Sequence, residues 1–408
     1  MALYVVPDPT WGQQNLYGFG FADEYDQLGL MLSQGHGYRF SPDTALTLER
    51  EPGYPFLLAG IFSIFGYSLM PARAANVIFA ALSAWILATL AARISDNKMA
   101  PRLAVLLFLV NPGVFVTILR GGVECLFTLL ILCFILALYR AADVKTYGAY
   151  FLSGLLLGLA STVRSTALLF PAFLPFWFRL GEIPRPTFPV IATRLLVLAA
   201  GAGLVLSPWT IRNYMLVGEL IPTASVQGVA AHAGQYICKN RSLESGFQDL
   251  DTEAAAARVT LARQQGYTFK SDYALYFYNP RDEIRFNRWL GKQVLAEYRR
   301  SPALFAKCVA ENAFNFWFEG KNWTATFINI IAQLPYLIIG ILGGVFYARN
   351  KSLRPIGLLV LFCLYTMLVY LPIHAQARYS VPLAPLLSLL AAVGAGEIAR
   401  THPGKILS

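Results

Sequence analysis

Apolar runs close to the length that crosses a bilayer recur along the chain. They fall at about 74–92, 102–119, 123–140, 147–163, 165–180 and 192–210, and again at about 327–347, 355–372 and 379–399. About 20 apolar residues span the hydrocarbon as a helix. Period-two alternation is absent, which leaves helices rather than a closed barrel as the spanning elements. A long polar stretch, 211–325, separates the two groups and holds helical runs near 249–265 and 281–299. The pattern predicts an all-α polytopic membrane protein with about 9–10 transmembrane helices and extracytoplasmic loops. Its expected parts are an N-terminal membrane region (1–210), a helical cap outside the membrane (211–325) and C-terminal transmembrane helices (326–408). Residues 54–68 are apolar but too short to cross, so they are expected to lie in the interface or re-enter. Pro171 and Pro175 predict a kink in 165–180.

One polar run interrupts the first half. Residues 21–55 carry Asp23, Glu24, Asp26, Glu49 and Glu51 beside Arg39 and Arg50, with Gly35, Gly37, Pro52, Gly53 and Pro55 breaking the backbone. Carboxylates next to membrane segments stay in water or line a polar cavity, and this loop reads as the acidic half of a site. A helix is expected at 24–34, with Asp23 as its cap or as a working acid.

Charge orients the spans. Arg93, Lys98 and Arg102 share one loop, Arg140 and Lys145 another, and Arg179, Arg185 and Arg194 a third. Arg349, Lys351 and Arg354 form a fourth cluster, and Arg400 and Lys405 the tail. If each span crosses once, all five clusters fall on one side, the cytoplasmic one. The acidic loop and the cap are then outside, with 119–123, 163–165 and 373–378. Each short outer loop holds one arginine: Arg120, Arg164 and Arg378. Arg73 precedes the first span and Arg212 opens the cap. Lone arginines snorkel at helix ends. Several facing a loop of carboxylates suggest an anion such as phosphate, which the guanidinium fork grips.

Composition agrees with the pattern. Of 408 residues, 56% are hydrophobic and 14% charged, and the mean hydropathy is +0.50; soluble chains carry roughly 25% charged residues. The net charge of +10 follows the inside bias and is no sign of nucleic acid. Cys238 and Cys308 share the polar stretch, where free thiols are the favoured reading and a disulfide the alternative. Asn240-Arg241-Ser242 and Asn322-Trp323-Thr324 match a glycosylation pattern that is common by chance. His36, His232, His374 and His402 lack metal spacing, and no P-loop, zinc cluster or nucleophile elbow occurs. Unrelated solute transporters often show paired halves with broken helices, and no such pairing is visible.

Four stretches in order carry a resemblance: REPGYPFLLAGIFSIFGYSLMPAR at 50–73, RGGVECLFTLL at 120–130, PWTIRNYMLVGELIPTAS at 208–225 and HAQARYSVPLAPLL at 374–387. The set resembles the integral-membrane glycosyltransferases of the GT-C superfamily, on the branch related to protein O-mannosyltransferases and the aminoarabinose transferase of lipid A. The resemblance implies a GT-C-like bundle, a polyprenyl-phosphate-linked sugar donor, and a lipid, glycan or protein acceptor used on the outer face. It implies residence in the cytoplasmic membrane of a bacterium. It places the essential acid at Asp23 or Glu24 and a second acid at Glu124. It puts Arg212 and Arg378 near the donor phosphate, with Arg73, Arg120 and Arg164 as further candidates. Tyr25, Arg50, Glu51, Tyr54, Asn213, Tyr214, His374 and Tyr379 are the expected substrate contacts.

No cofactor is required by this chemistry; a divalent cation bridging acid and phosphate is compatible with it. The alternative is a non-enzymatic protein of the same architecture that binds or moves lipid-linked sugars. Two departures from the family stand out. A transmembrane helix usually precedes the acidic loop, and residues 1–7 are at most its stub. The acid of relatives often sits four residues before the tyrosine of a Tyr-Asp pair, where this chain has Phe21.

Overall fold

The computed structural model describes residues 24–181, 185–241, 247–270 and 275–401. In order these form α1 (Tyr25–Ser33), α2 (Gly53–Phe65), α3 (Leu69–Ile94), α4 (Met99–Leu109), α5 (Pro112–Leu119), α6 (Glu124–Val144) and α7 (Tyr147–Val163). Two 3-10 turns (Ser165–Ala167, Phe170–Phe173) lead into α8 (Leu174–Gly181). Then come α9 (Phe188–Val217), α10 (Gln227–Asn240), α11 (Phe247–Gln264), a two-stranded antiparallel hairpin of β1 (Phe269–Lys270) and β2 (Tyr276–Phe277), and α12 (Pro280–Arg300). The chain closes with α13 (Pro302–Phe318), α14 (Trp323–Asn350), α15 (Gly357–Tyr370) and α16 (Ala384–Thr401). This is an all-α, multi-pass membrane protein.

Five segments are long and apolar enough to cross a bilayer: α3, α6, α9, α14 and the run Ala377–Thr401 that ends in α16. The expected span at 102–119 is two helices, α4 and α5, bent by 51°. The break falls at Asn111-Pro112, and the Asn111 side chain accepts from Gly113 N at 2.9 Å and Val114 N at 3.4 Å. It thereby replaces the intrahelical partners that the proline and the bend remove. The three remaining expected spans, at 147–163, 165–180 and 355–372, lie in shorter apolar helices. A helix of 17 residues reaches only ~26 Å, so these depend on packing for their depth. In 165–180 two 3-10 turns, the second carrying Pro171, precede α8 in place of one kinked helix. Helix α2, at 13 residues, is ~20 Å long, short of the hydrocarbon thickness.

Small residues hold the bundle. A Cβ on Gly154 of α7 would collide with the Leu198 carbonyl of α9, and one on Gly394 of α16 with the backbone of Gly343 in α14. Without a hydrophobic drive between helices in lipid, such backbone approach supplies the packing contacts. Above the bundle, α10 to α13 and the hairpin form the cap. Cys238 of α10 and Cys308 of α13 are joined in a disulfide, so the structure takes the alternative and not the favoured reading of free thiols. Their Cα atoms stand 5.5 Å apart, inside the usual bridging range. Helix α9 runs on past the expected end of its span to Val217, which carries Arg212 and Asn213 on helix rather than loop.

Candidate active site

The acidic loop is a structured strap between α1 and α2. Glu24 opens α1 in the left-handed region (φ 60°), an uncommon setting for a non-glycine residue. Helix α2 begins at Gly53 because nothing larger fits there. A Cβ on Gly53 would lie 2.7 Å from Thr162 Oγ1 and 2.9 Å from the Thr162 carbonyl. The strap is thus pressed against the outer end of α7, and Glu51 meets the start of the next turn. Ser165 N donates to Glu51 Oε1 at 2.9 Å, and the Tyr25 hydroxyl donates to Oε2 at 3.3 Å. Tyr25 also meets the Tyr54 ring edge-on, 5.7 Å between centroids.

Beside this contact lies the most buried charge pair of the site. Glu124, the first residue of α6, is 2% exposed and Arg164, which closes α7, is 9% exposed. Arg164 Nη2 donates to Glu124 Oε1 at 2.5 Å. The guanidinium lies over the Tyr379 ring at 4.9 Å, and Nη1 reaches the Tyr370 hydroxyl at 3.4 Å. Tyr370 and Tyr379 stack with centroids 4.6 Å apart. Arg164 Nε is buried without a partner among the described residues. Tyr54 donates its hydroxyl to the Gly121 carbonyl, and Asn76 donates to the Gly122 carbonyl at 2.9 Å. These two bonds fix the turn that presents Glu124. A buried pair of this kind survives only where geometry and further hydrogen bonds compensate for lost hydration.

A second charged group sits between strap and cap. Arg50 pairs with Glu49 at 2.7 Å and with Glu24 at 3.6 Å, and the Tyr276 hydroxyl of β2 donates to Glu24 at 2.8 Å. Arg258 of α11 lies close enough to Glu49, Arg50 and Glu24 to feel their charges, and burial lowers its pKa from the usual arginine value. On the opposite flank, Arg378 Nε donates to Gln376 Oε1 at 2.7 Å, and its guanidinium lies 5.3 Å from the Tyr379 ring. Arg164 and Arg378 therefore flank one tyrosine. Glu319 accepts from Ala377 N at 3.3 Å; burial pushes its carboxyl up to about 7, against the pull of Ala377 N–H and Arg378. His374 is buried, with its ring 6.3 Å from Tyr379.

The other expected residues have other surroundings. Arg212 Nη1 donates to the Thr47 carbonyl and to Asn213 Oδ1, each at 2.9 Å. Its guanidinium covers Trp209 at 4.4 Å and Tyr38 at 5.5 Å. Asn213 is buried and donates to the Ile221 carbonyl at 2.8 Å. Tyr214 is 53% exposed on the outer face of α9. Arg73 Nε donates to the Leu119 carbonyl at 2.6 Å, and Arg120 closes α5. Asp23 lies outside the described residues. Among the expected residues the structure brings together Tyr25, Glu51, Tyr54, Glu124, Arg164 and Tyr379, with Arg378 alongside. Sequence reasoning missed Tyr370, Asn76 and Ser165. Tyr370 hides in an apolar run and Asn76 in the first span, where a buried asparagine was the available signal. Among the described residues no three His, Cys, Asp or Glu side chains gather as a metal site.

An apolar cavity of about 470 Å³ opens between α7, the 3-10 turns and α9. Leu157, Leu168, Pro171, Leu198, Ala202 and Leu206 line it, and Thr210, Ile211 and Pro222 close its outer end. That volume lies in the range of ligand sites.

Residues 49–211 match the dolichyl-phosphate-mannose-protein mannosyltransferase family. No curated protein matches the sequence. The oligosaccharyltransferase AglB of Archaeoglobus fulgidus, solved with an inhibitory peptide and a dolichol-phosphate, superposes with a TM-score of 0.53 at 13% identity, over 94% of this chain and 47% of that one. A second structure of the A. fulgidus enzyme, tethered to an acceptor peptide, gives 0.54 at 14% identity, over 94% and 46%. ArnT from Cupriavidus metallidurans, bound to undecaprenyl phosphate, gives 0.37 at 14% identity, over 94% and 74%, too loose for comparison by position. The chain spans about half the length of the oligosaccharyltransferase it matches. The family match thus runs across the strap and the first spans, and nearly the whole chain shares the fold of that oligosaccharyltransferase.

Proposed function

We propose that this protein transfers a sugar from a polyprenyl-phosphate donor to a hydroxyl acceptor at the outer face of the membrane. The observation that carries this reading is the buried Glu124–Arg164 pair, whose neighbour Ser165 N donates to Glu51 of the acidic strap. The cavity suits part of an isoprenoid chain, and Arg378 suits its phosphate. The Cys238–Cys308 bridge in the cap fits the oxidising side of a membrane, which is the outer side on the positive-inside count.

In this mechanism the acceptor oxygen bonds to the sugar C1 as the C1–O bond to the phosphate breaks. The electron pair leaves on the phosphate, where Arg378 stabilises the growing charge. The acceptor proton passes to a carboxylate of the 21–55 run, Asp23, with Glu24 in reserve. A single displacement inverts C1 and needs one base. Glu51 ties the strap to α7, and Glu124 orients Arg164 beside the reacting groups. Parts 1–210 and 326–408 supply the bundle, and 211–325 the cap over it.

Purified protein given a radiolabelled polyprenyl-phosphate sugar with lipid, glycan or peptide acceptors should label one acceptor class. Asp23→Asn should lower turnover by about a hundredfold to ten-thousandfold, with melting unchanged. Donor binding without transfer to any class would favour the non-enzymatic alternative.

A further inference from the structure

The cap grips the strap through one carboxylate that the sequence offers no reason to notice. Glu283 lies in the first turn of α12. The bland role of an acid near a helix start is to complement the macrodipole from an exposed position. Glu283 is instead buried, and both its oxygens are on strap atoms. Leu48 N donates to Oε1 at 2.9 Å, and Thr47 Oγ1 donates to Oε2 at 2.7 Å. The same two residues are held from other sides. Arg212 takes the Thr47 carbonyl at 2.9 Å, and Ser225 N donates to the Leu48 carbonyl at 2.8 Å. The Leu48 side chain is enclosed with Val217 of α9 and Ile284 of α12. Burial and nearby Glu49 push the Glu283 carboxyl up to about 8, against Thr47, Leu48 and Arg212.

Three residues further along the strap, Glu51 meets Ser165 N and Tyr25. Between the clamp and that contact, the Tyr38 hydroxyl donates to the carbonyls of Arg50 and Glu51 at 3.0 and 2.9 Å. The strap therefore has no slack from Thr47 to the neighbourhood of Arg164.

We propose that Glu283 is a positioning residue, through which the cap fixes the height of the acidic strap over the Glu124–Arg164 pair. The proposal rests on the glycosyltransferase reading for its effect on rate, but not for its effect on the strap. A misplacement of about 1 Å in such a group lowers turnover by up to roughly a hundredfold while leaving donor binding elsewhere intact.

The test uses the full-length protein in detergent, read by hydrogen–deuterium exchange and by transfer kinetics. Glu283→Ala should deprotect peptides covering 45–51 and lower kcat by about tenfold to a hundredfold, with donor KM within about twofold. Glu283→Gln should behave as wild type, because its carbonyl accepts from Leu48 N and its amide donates to Thr47 Oγ1. Unchanged exchange at 45–51 in Glu283→Ala overturns the proposal, as does a loosened strap with wild-type kcat. If Glu283→Ala loses protection throughout α7 and α9, Thr47→Val decides, since it cuts the link from the strap side. A wild-type rate in Thr47→Val then overturns the proposal. A wild-type protein that transfers no sugar defeats the functional reading, and exchange alone then judges the clamp.

Discussion

Helices α7 and α9 pack side by side, and each carries an arginine near its C-terminal end, yet the two ends do different things. Arg164 turns inward to a carboxylate and two stacked tyrosines. Arg212 turns to the backbone of the strap, and its face is covered by Trp209 and Tyr38. One arginine is balanced by an opposite charge; the hydrogen-bond acceptors of the other are neutral dipoles. An arginine at a helix end is thus no site by itself. Its role follows from what the neighbouring segments bring within reach.

The difference predicts different costs of substitution. Glu124→Leu leaves the Arg164 charge buried and alone, and should destabilise the protein by about 3–5 kcal/mol. Adding Arg164→Met should recover most of that loss in thermal melts while transfer stays abolished, because the double change restores burial but not chemistry. Arg212→Met orphans two acceptors and should cost only about 1–3 kcal/mol. Equal losses in Glu124→Leu and Arg212→Met, or no recovery in the double variant, would erase the contrast.

Lysine sharpens it on a smaller scale. Arg378→Lys keeps a charge and loses the fork, so donor KM should rise several-fold. Arg212→Lys keeps one bond to Thr47 and should lower kcat a few-fold with donor KM unchanged. The reverse split would move the phosphate to Arg212.

A further difference is a dependence on pH. Burial raises the Glu283 carboxyl to about 8 in the folded protein, from the ordinary 4.5. The folded state then holds a proton that the unfolded state has released, so stability falls as pH rises from about 5 to 8 and levels off above. Glu283→Gln removes that dependence. Its melting temperature relative to wild type should climb across the same interval; a flat difference would show that Glu283 titrates normally.

The sequence by itself determined the class of the protein. Runs of apolar residues can be satisfied in lipid only as helices, so 74–92, 123–140 and 192–210 read directly as α3, α6 and α9. Helices α1, α11 and α12 were legible as well, because their polar sequences keep helical signals. The bend at Asn111-Pro112 and the 3-10 turns at 165–173 were less so: a proline marks where a helix breaks but not how the freed groups find partners. Glu51, Glu124, Arg164 and Tyr379 were visible as charges or aromatics at the ends of apolar runs, while Tyr370, Asn76 and Ser165 were not. The grouping of the first four was not visible either, because they come from four segments that only packing brings together. Glu283 looked like any first-turn acid. What assigns it to the strap is the docking of α12 on Leu48, a contact between residues 235 positions apart. Local pattern fixes which helices form; long-range packing decides which charges meet.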